Sequence, residues 1–181
     1  MNFNVDKFFI MITVISGTNR INSNSLIISK ACCDELNKLG VESKLFCLSQ
    51  LPHNFMKVMY SYKDNTYNNI IKKNISTSNK YIFVIAEYNG SYPGILKAFI
   101  DSIQAKEFEN KKACIIGVST GYAGALRPLD HFTDVLHHLK TEVMSHKLKL
   151  SKVYNNINAK KEVDDELRAK LLYSISKFVE Y

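Results

Sequence analysis

No two of the four cysteines in this 181-residue chain form a C-x-x-C pair. Zinc sites need paired thiolates or a tight Cys/His cluster, and secreted scaffolds need far denser cysteine, so the pattern argues against both. Cys32, Cys33, Cys47 and Cys114 are expected as reduced, mostly buried thiols of a cytoplasmic protein. Also missing are the G-x-x-x-x-G-K-[ST] loop of ATP and GTP hydrolysis and the G-x-G-x-x-G dinucleotide fingerprint. No Ser/His/Asp set stands at motif spacing and no nucleophile elbow is present, which leaves hydrolase chemistry without support. The apolar run Phe8 to Ile15 is too short to span a bilayer and leads into Ser16-Gly17 rather than a cleavage site, so neither a membrane span nor an export signal is expected. Tryptophan is absent. The formal charge is +7, yet Lys72-Lys73, Lys111-Lys112 and Lys160-Lys161 are the only adjacent basic pairs. Without a basic run interleaved with aromatics, this charge reads as solvated surface and no nucleic-acid partner is expected. No repeat, Pro-rich linker or low-complexity tract divides the chain. Residues 1–181 are expected to form one domain, with 1–10 as a short N-terminal extension.

What is present is an alternation of two kinds of segment. Phe8 to Ile15, Tyr81 to Ala86 and Ala113 to Val118 are near-continuous β-favouring runs, as strands buried on both faces require. Val41 to Leu48 is strand-like, and Val143 to Val153 is a weaker last strand. Between them lie helical patterns: Asn24 to Leu39 with Gly40 placed to end it, a helix opened by Pro93, one from Leu126 to Leu139, and a closing helix from Glu162 to Val179. The Asn-, Lys- and Tyr-rich segment from His53 to Asn79 is the least legible and is expected to hold one helix near Tyr67 to Ile75. Strands alternating with helices imply a parallel sheet covered on both faces. Ligands bind such sheets outside the carboxyl ends of the strands. That rule selects Ser16 to Ser25, Glu87 to Pro93, and Ser119 to Gly124, all rich in Gly, Ser, Thr or Asn.

The first of these loops runs from a strand into a helix N-terminus, where free N–H groups and the helix dipole favour an anion. Thr18, Ser23 and Ser25 add hydroxyls, and Arg20 adds a fork suited to phosphate oxygens. The alternative is that Ser23 or Asn24 simply caps the helix. Three stretches then carry a resemblance: Gly17-Thr18-Asn19-Arg20 with Ser23; Glu87-Tyr88-Asn89-Gly90-Ser91-Tyr92-Pro93-Gly94; and Gly117-Val118-Ser119-Thr120-Gly121. Together they resemble the NADPH-dependent FMN reductase family, which includes quinone, azo-dye and chromate reductases, and the likeness runs from about Met11 to Val153.

The resemblance implies an α/β, three-layer flavodoxin-like fold with a five-stranded parallel sheet in the order 2-1-3-4-5. It implies FMN as cofactor, NADPH or NADH as electron donor, and a small acceptor such as a quinone, free flavin, azo compound or metal oxyanion. Thr18, Arg20, Ser23, Asn24 and Ser25 then hold the FMN phosphate, Glu87, Tyr88, Asn89 and Gly90 border the isoalloxazine ring, and Ser119, Thr120 and Gly121 close its other side. The family usually has Pro at the position of Ala86, and many relatives have Asn at that of Ser25. No acid–base residue is named, because the cofactor carries the redox chemistry. The resemblance also implies a homodimer or homotetramer, with the helix after Pro93 and the one from Leu126 as candidate contact faces. Two other classes stay open: a flavodoxin-type electron carrier, and a cofactor-free interaction domain on the same fold.

Some residues carry weaker signals. Asp130, Asp134 and His137 share a helix face, which suits a solvated surface or a subunit contact far better than a metal, and no metal site is expected. Arg127 is placed either to reach the nicotinamide cofactor's phosphate or a partner subunit, or to pair with Asp130 or Asp134. Tyr60, Tyr62 and Tyr67 either line the pocket mouth or pack elsewhere.

Overall fold

Apolar side chains that alternate along each strand decide the architecture, because successive residues point to opposite faces of a sheet. A computed structural model describes residues 11–61 and 65–181. The extension 1–10, which includes the start of the first apolar run, and Tyr62 lie outside the described residues. In chain order the elements are β1 (Ile12–Ser16), α1 (Asn24–Lys38), β2 (Ser43–Cys47), α2 (Phe55–Val58), α3 (Asn65–Ile71), β3 (Lys80–Ala86), α4 (Gly94–Asp101), β4 (Lys112–Val118), α5 (Leu126–His138), β5 (Glu142–Val143), β6 (Leu148–Leu150) and α6 (Asp165–Glu180). A π-helical turn, Lys72–Ser76, extends α3.

The strands pair in parallel in the order β2-β1-β3-β4-β5, with β6 also on β4. The expected order 2-1-3-4-5 therefore stands, but the fifth strand is broken. Val143 pairs with Ala113 and Leu148 with Ile116, so this edge carries two more residues than β4 over the same stretch. Four residues fill the gap, the buried Met144 and the polar Ser145-His146-Lys147, a local bulge at a sheet edge.

Two apolar layers follow from the alternation. Tyr81, Phe83 and Ile85 of β3, with Ala113 and Ile115 of β4, pack under α3, α4 and α5 together with Phe99, Phe108 and Phe132. Ile82, Val84, Cys114, Ile116 and Val118 face the other way, against Ile28, Cys32 and Leu36 of α1 and Leu171, Ile175 and Phe178 of α6. Leu96, Phe99, Ile100 and Ile103 are buried in the chain's own core. The apolar face of α4 is thus internal rather than the contact surface expected from the sequence. Tyr67 is buried too, with its hydroxyl bonded to Ser102, so it is a core residue, whereas Tyr60 is exposed.

Helix ends account for part of the basic charge. The last carbonyls of a helix lack intrahelical partners and favour cations. Lys80 Nζ donates to Phe178 and Val179 carbonyls at the end of α6, at 3.1 and 2.9 Å. Lys112 Nζ reaches the Tyr181 carbonyl beside it. Lys111 Nζ donates to the Ile75 carbonyl at 3.0 Å and to Tyr81 Oη at 2.9 Å. These lysines all sit at the amino end of the sheet, away from the loops that Gly, Ser, Thr and Asn dominate. α1 ends as its sequence predicts: Gly40 takes φ +70°, its N–H reaches the Asn37 carbonyl, and Val41 reaches Leu36, a Schellman arrangement. Among the described residues no helix is long and apolar enough to cross a membrane.

Candidate functional site

A parallel sheet leaves its ligand-facing loops where its strands end, and there three loops meet around a cavity of about 390 Å³. Its walls come from residues 20–25 after β1, residues 86–88 after β3, Val118, Ser119 and Thr120 after β4, and Val153. A larger groove of about 530 Å³ runs beside β2. It lies along the side of β2 rather than at the carboxyl ends of the strands, and one of its two lysines, Lys44, is already bound through Nζ to the Lys73 carbonyl at 3.3 Å and Thr77 Oγ1 at 3.1 Å.

The first wall gathers polar groups around a helix start. Gly17 donates its N–H to the Val84 carbonyl at 2.9 Å, which presses the loop against β3. A Cβ at Gly17 would lie 3.1 Å from both that carbonyl and Leu96 Cδ2, so close approach rather than an unusual turn explains the glycine. Ser23 is the N-cap of α1: its Oγ accepts the Leu26 N–H at 3.2 Å. The capping alternative therefore holds for the Ser23 lone pair, while its O–H remains available to donate. The N–H groups of Asn24 and Ser25 precede the first intrahelical bond and stand at the positive end of the dipole. Ser25 Oγ is buried without a hydrogen-bond partner among the described residues, an unusual condition for a buried polar atom. Among the described residues Arg20 has no ion-pair partner, and it is exposed at the cavity edge. An uncompensated guanidinium, an unmet hydroxyl and a helix N-terminus on one wall fit a phosphate group.

The second wall is a two-residue hairpin. Tyr88 and Ser91 exchange both backbone hydrogen bonds, at 2.8 and 3.1 Å. Asn89 and Gly90 between them take φ +51° and +78°. This is the type I′ geometry that Asn-Gly favours, and the dipeptide was a legible signal for it. Ser91 Oγ lies 3.0 Å from His131 Nδ1 on α5, which ties the hairpin's base to that helix. Tyr92 packs edge-on against Phe132 at 5.3 Å for the same effect. Glu87 donates its N–H to the Val118 carbonyl at 3.1 Å, bringing the second and third loops together.

The third wall is held by chain distant in sequence. Ser119 Oγ accepts the Gly121 N–H at 3.0 Å. Ser119 N–H reaches the Leu150 carbonyl at 2.9 Å, and Val153 N–H reaches the Ser119 carbonyl at 3.1 Å. Val153 thereby enters the cavity wall, although nothing in its local sequence distinguishes it from core.

Of the residues singled out from sequence, Arg20, Ser23, Asn24, Ser25, Glu87, Tyr88, Ser119 and Thr120 line the cavity. Asn89 and Gly90 form the hairpin tip, and Gly121 lies in the loop beyond Thr120, none of them in the cavity wall. Thr18 is fully buried behind the wall. Ile21, Asn22, Ala86, Val118 and Val153 also line the cavity, and none of them was expected to contact the cofactor. Arg127 is exposed and has no ion pair with a described residue, while Asp130 pairs with Lys147 at 3.4 Å. Among the described residues no group of three His, Cys, Asp or Glu side chains is placed to hold a metal ion. Burial raises the Cys114 thiol to about 12, with Ser174 opposing the shift, and burial also drives Cys32 well up. Both thiols stay protonated and unreactive as core residues.

Comparison with known proteins agrees with this geometry. The chain is 23% identical over 173 residues to an FMN-dependent NADPH-azoreductase from Staphylococcus aureus, covering 87% of this chain and 88% of that protein. Among solved structures, the flavoenzyme NAD(P)H:(acceptor) oxidoreductase FerB from Paracoccus denitrificans superposes with a TM-score of 0.77 at 25% identity, covering 94% of this chain and 96% of that one. An apo NADH:FMN oxidoreductase, EMOB, gives 0.75 at 17% identity, over 93% and 88% of the two chains. The family model described as NADPH-dependent FMN reductase matches residues 10–155. The chain belongs to the NADPH-dependent FMN reductase family.

Proposed function

We propose that this chain is an FMN-dependent NAD(P)H oxidoreductase that seats one FMN in the cavity at the carboxyl end of its sheet. The observation that carries this reading is that the start of α1, Arg20 and the buried Ser25 hydroxyl share one wall, neither side chain having a polar partner among the described residues. When bound, FMN supplies the redox chemistry between the nicotinamide donor and a small acceptor such as a quinone, free flavin, azo compound or metal oxyanion.

The polypeptide's part is binding, orientation and exclusion of water. Arg20, the Ser23 hydroxyl and the N–H groups of Asn24 and Ser25 hold the phosphate. A single anion seat suits a mononucleotide. Glu87, Tyr88, Ser119 and Thr120 border the ring, held in place by the Asn89-Gly90 hairpin turn and by the Ser119–Gly121 hydrogen bond. His131, through Ser91, keeps the hairpin seated. The four cysteines are free thiols, which suits a reducing, cytoplasmic setting. The same reading has the enzyme act as a homodimer or a dimer of dimers, with neither nucleic acid nor membrane as partner. The exposed Tyr122, just before α5, and Leu126, at its first residue, are the surface available for that contact.

The test is direct. Purified protein reconstituted with flavin should retain one FMN per chain, released on denaturation, and NADPH or NADH should bleach it anaerobically. Continuous NADPH oxidation on adding a quinone separates an enzyme from a flavodoxin-type carrier. Recovery of FAD alone, or no affinity for FMN, counts decisively against the reading.

A further inference from the structure

Thr18 is placed among the phosphate ligands by its position in the first loop, yet it does not line the cavity and is fully buried. Its hydroxyl is engaged elsewhere. Thr18 Oγ1 accepts the Arg20 N–H at 3.2 Å and lies 2.9 Å from Tyr88 Oη. Its carbonyl meets Cys47 Sγ at 3.7 Å, so the end of β2 supports it from behind. Tyr88 lines the cavity and is 37% exposed. Thr18 is fully buried and its oxygen already accepts the Arg20 N–H, so among the described residues Tyr88 Oη is the side-chain partner within reach of its hydroxyl. Both loops that this bond joins also contain a left-handed residue, Asn22 at φ +55° and Asn89 at φ +51°. Such corners persist where neighbouring contacts over-determine them.

We propose that Thr18 and Tyr88 form a latch that couples the anion-side loop to the hairpin across the cavity, which makes both of them positioning residues for the flavin. The proposal rests on the reading that the cavity takes FMN. One atom, Thr18 Oγ1, fixes the backbone from which the Arg20 side chain projects and at the same time fixes Tyr88, which begins the ring-side hairpin. A phosphate drawn to the first loop therefore helps order the second.

FMN and riboflavin, which lacks the phosphate, are titrated against wild type, Tyr88→Phe, Thr18→Val, Thr18→Ser and the Thr18→Val/Tyr88→Phe double variant. Flavin fluorescence gives the Kd, and circular-dichroism melting checks that each variant folds. Tyr88→Phe keeps the ring and removes only the bond, so it should weaken FMN by about three- to tenfold, the span of one neutral hydrogen bond. It should weaken riboflavin by less, because the phosphate then no longer helps order the hairpin. The double variant should lose little more than Thr18→Val alone, and Thr18→Ser should retain wild-type affinity. Equal losses for FMN and riboflavin in Tyr88→Phe, or single losses that simply add in the double variant, would overturn the latch. Failure of wild type to bind FMN would instead overturn the flavin reading, and it would be seen before any variant is compared.

Discussion

Replacing Arg20 by alanine tests the proposed phosphate seat apart from the rest of the site. Arg20 is exposed, lines the cavity and has no ion-pair partner among the described residues, so the substitution breaks no ion pair there. Its backbone N–H is held by Thr18 Oγ1 at 3.2 Å and is untouched by the substitution. The loop should therefore keep its course, and the melting temperature of the ligand-free protein should not move. A hydrogen bond from a charged donor contributes about 1.5–3 kcal/mol, and each 1.4 kcal/mol is roughly tenfold in Kd. FMN should bind about ten- to a hundredfold more weakly by fluorescence titration. Riboflavin, with no phosphate to meet the guanidinium, should bind the variant as it binds wild type. Arg20→Lys should recover part of the loss, as a point charge without the fork. Unchanged FMN affinity, or an equal loss for riboflavin, would show that Arg20 does not serve the phosphate, and the loop would have to be reassigned.

Other perturbations read other links of the chain. Phe132→Ala removes a fully buried ring that packs on Phe83 at 4.9 Å and on Tyr92; urea unfolding should show a loss of about 3–5 kcal/mol, and a loss below 1 kcal/mol would contradict this packing. Gly90→Ala puts a Cβ at φ +78° and should cost about 1–2 kcal/mol, whereas Gly94→Ala, with open space around its Cβ, should be neutral or slightly stabilising. Burial pushes the Tyr67 hydroxyl up to about 12 from 10.0, with the Ser102 hydrogen bond opposing the shift. The unfolded chain then loses that proton first, so stability should fall as pH rises from 10 toward 12, and Tyr67→Phe should flatten the slope in pH-dependent melts. Light scattering should report a dimer or tetramer at micromolar concentration, and a monomer that retains FMN and reductase activity would refute the proposed assembly.

Much of this protein was legible along the chain because the relevant forces act locally. A strand buried on both faces needs a continuous apolar run, so Tyr81 to Ala86 and Ala113 to Val118 announced β3 and β4, with β4 beginning at Lys112. Gly40 ended α1 because the left-handed turn there is cheapest for glycine. The clustering of Gly, Ser, Thr and Asn after β1, β3 and β4 marked three loops, since a parallel sheet puts all its carboxyl ends on one side. Tertiary structure decided what depends on partners far apart in sequence. Thr18 turned inward because Tyr88, seventy residues away, supplies a partner for its hydroxyl. The apolar face of α4 became core rather than interface because β3 and β4 present Phe83 and Ile115 to the same layer. The last strand broke because β4 accepts Val143 and Leu148 at positions that leave two residues unmatched. Val153 entered the cavity wall only through its bond to Ser119. Periodicity records which face of an element is apolar; it does not record which neighbour will cover that face, and the site is made of such neighbours.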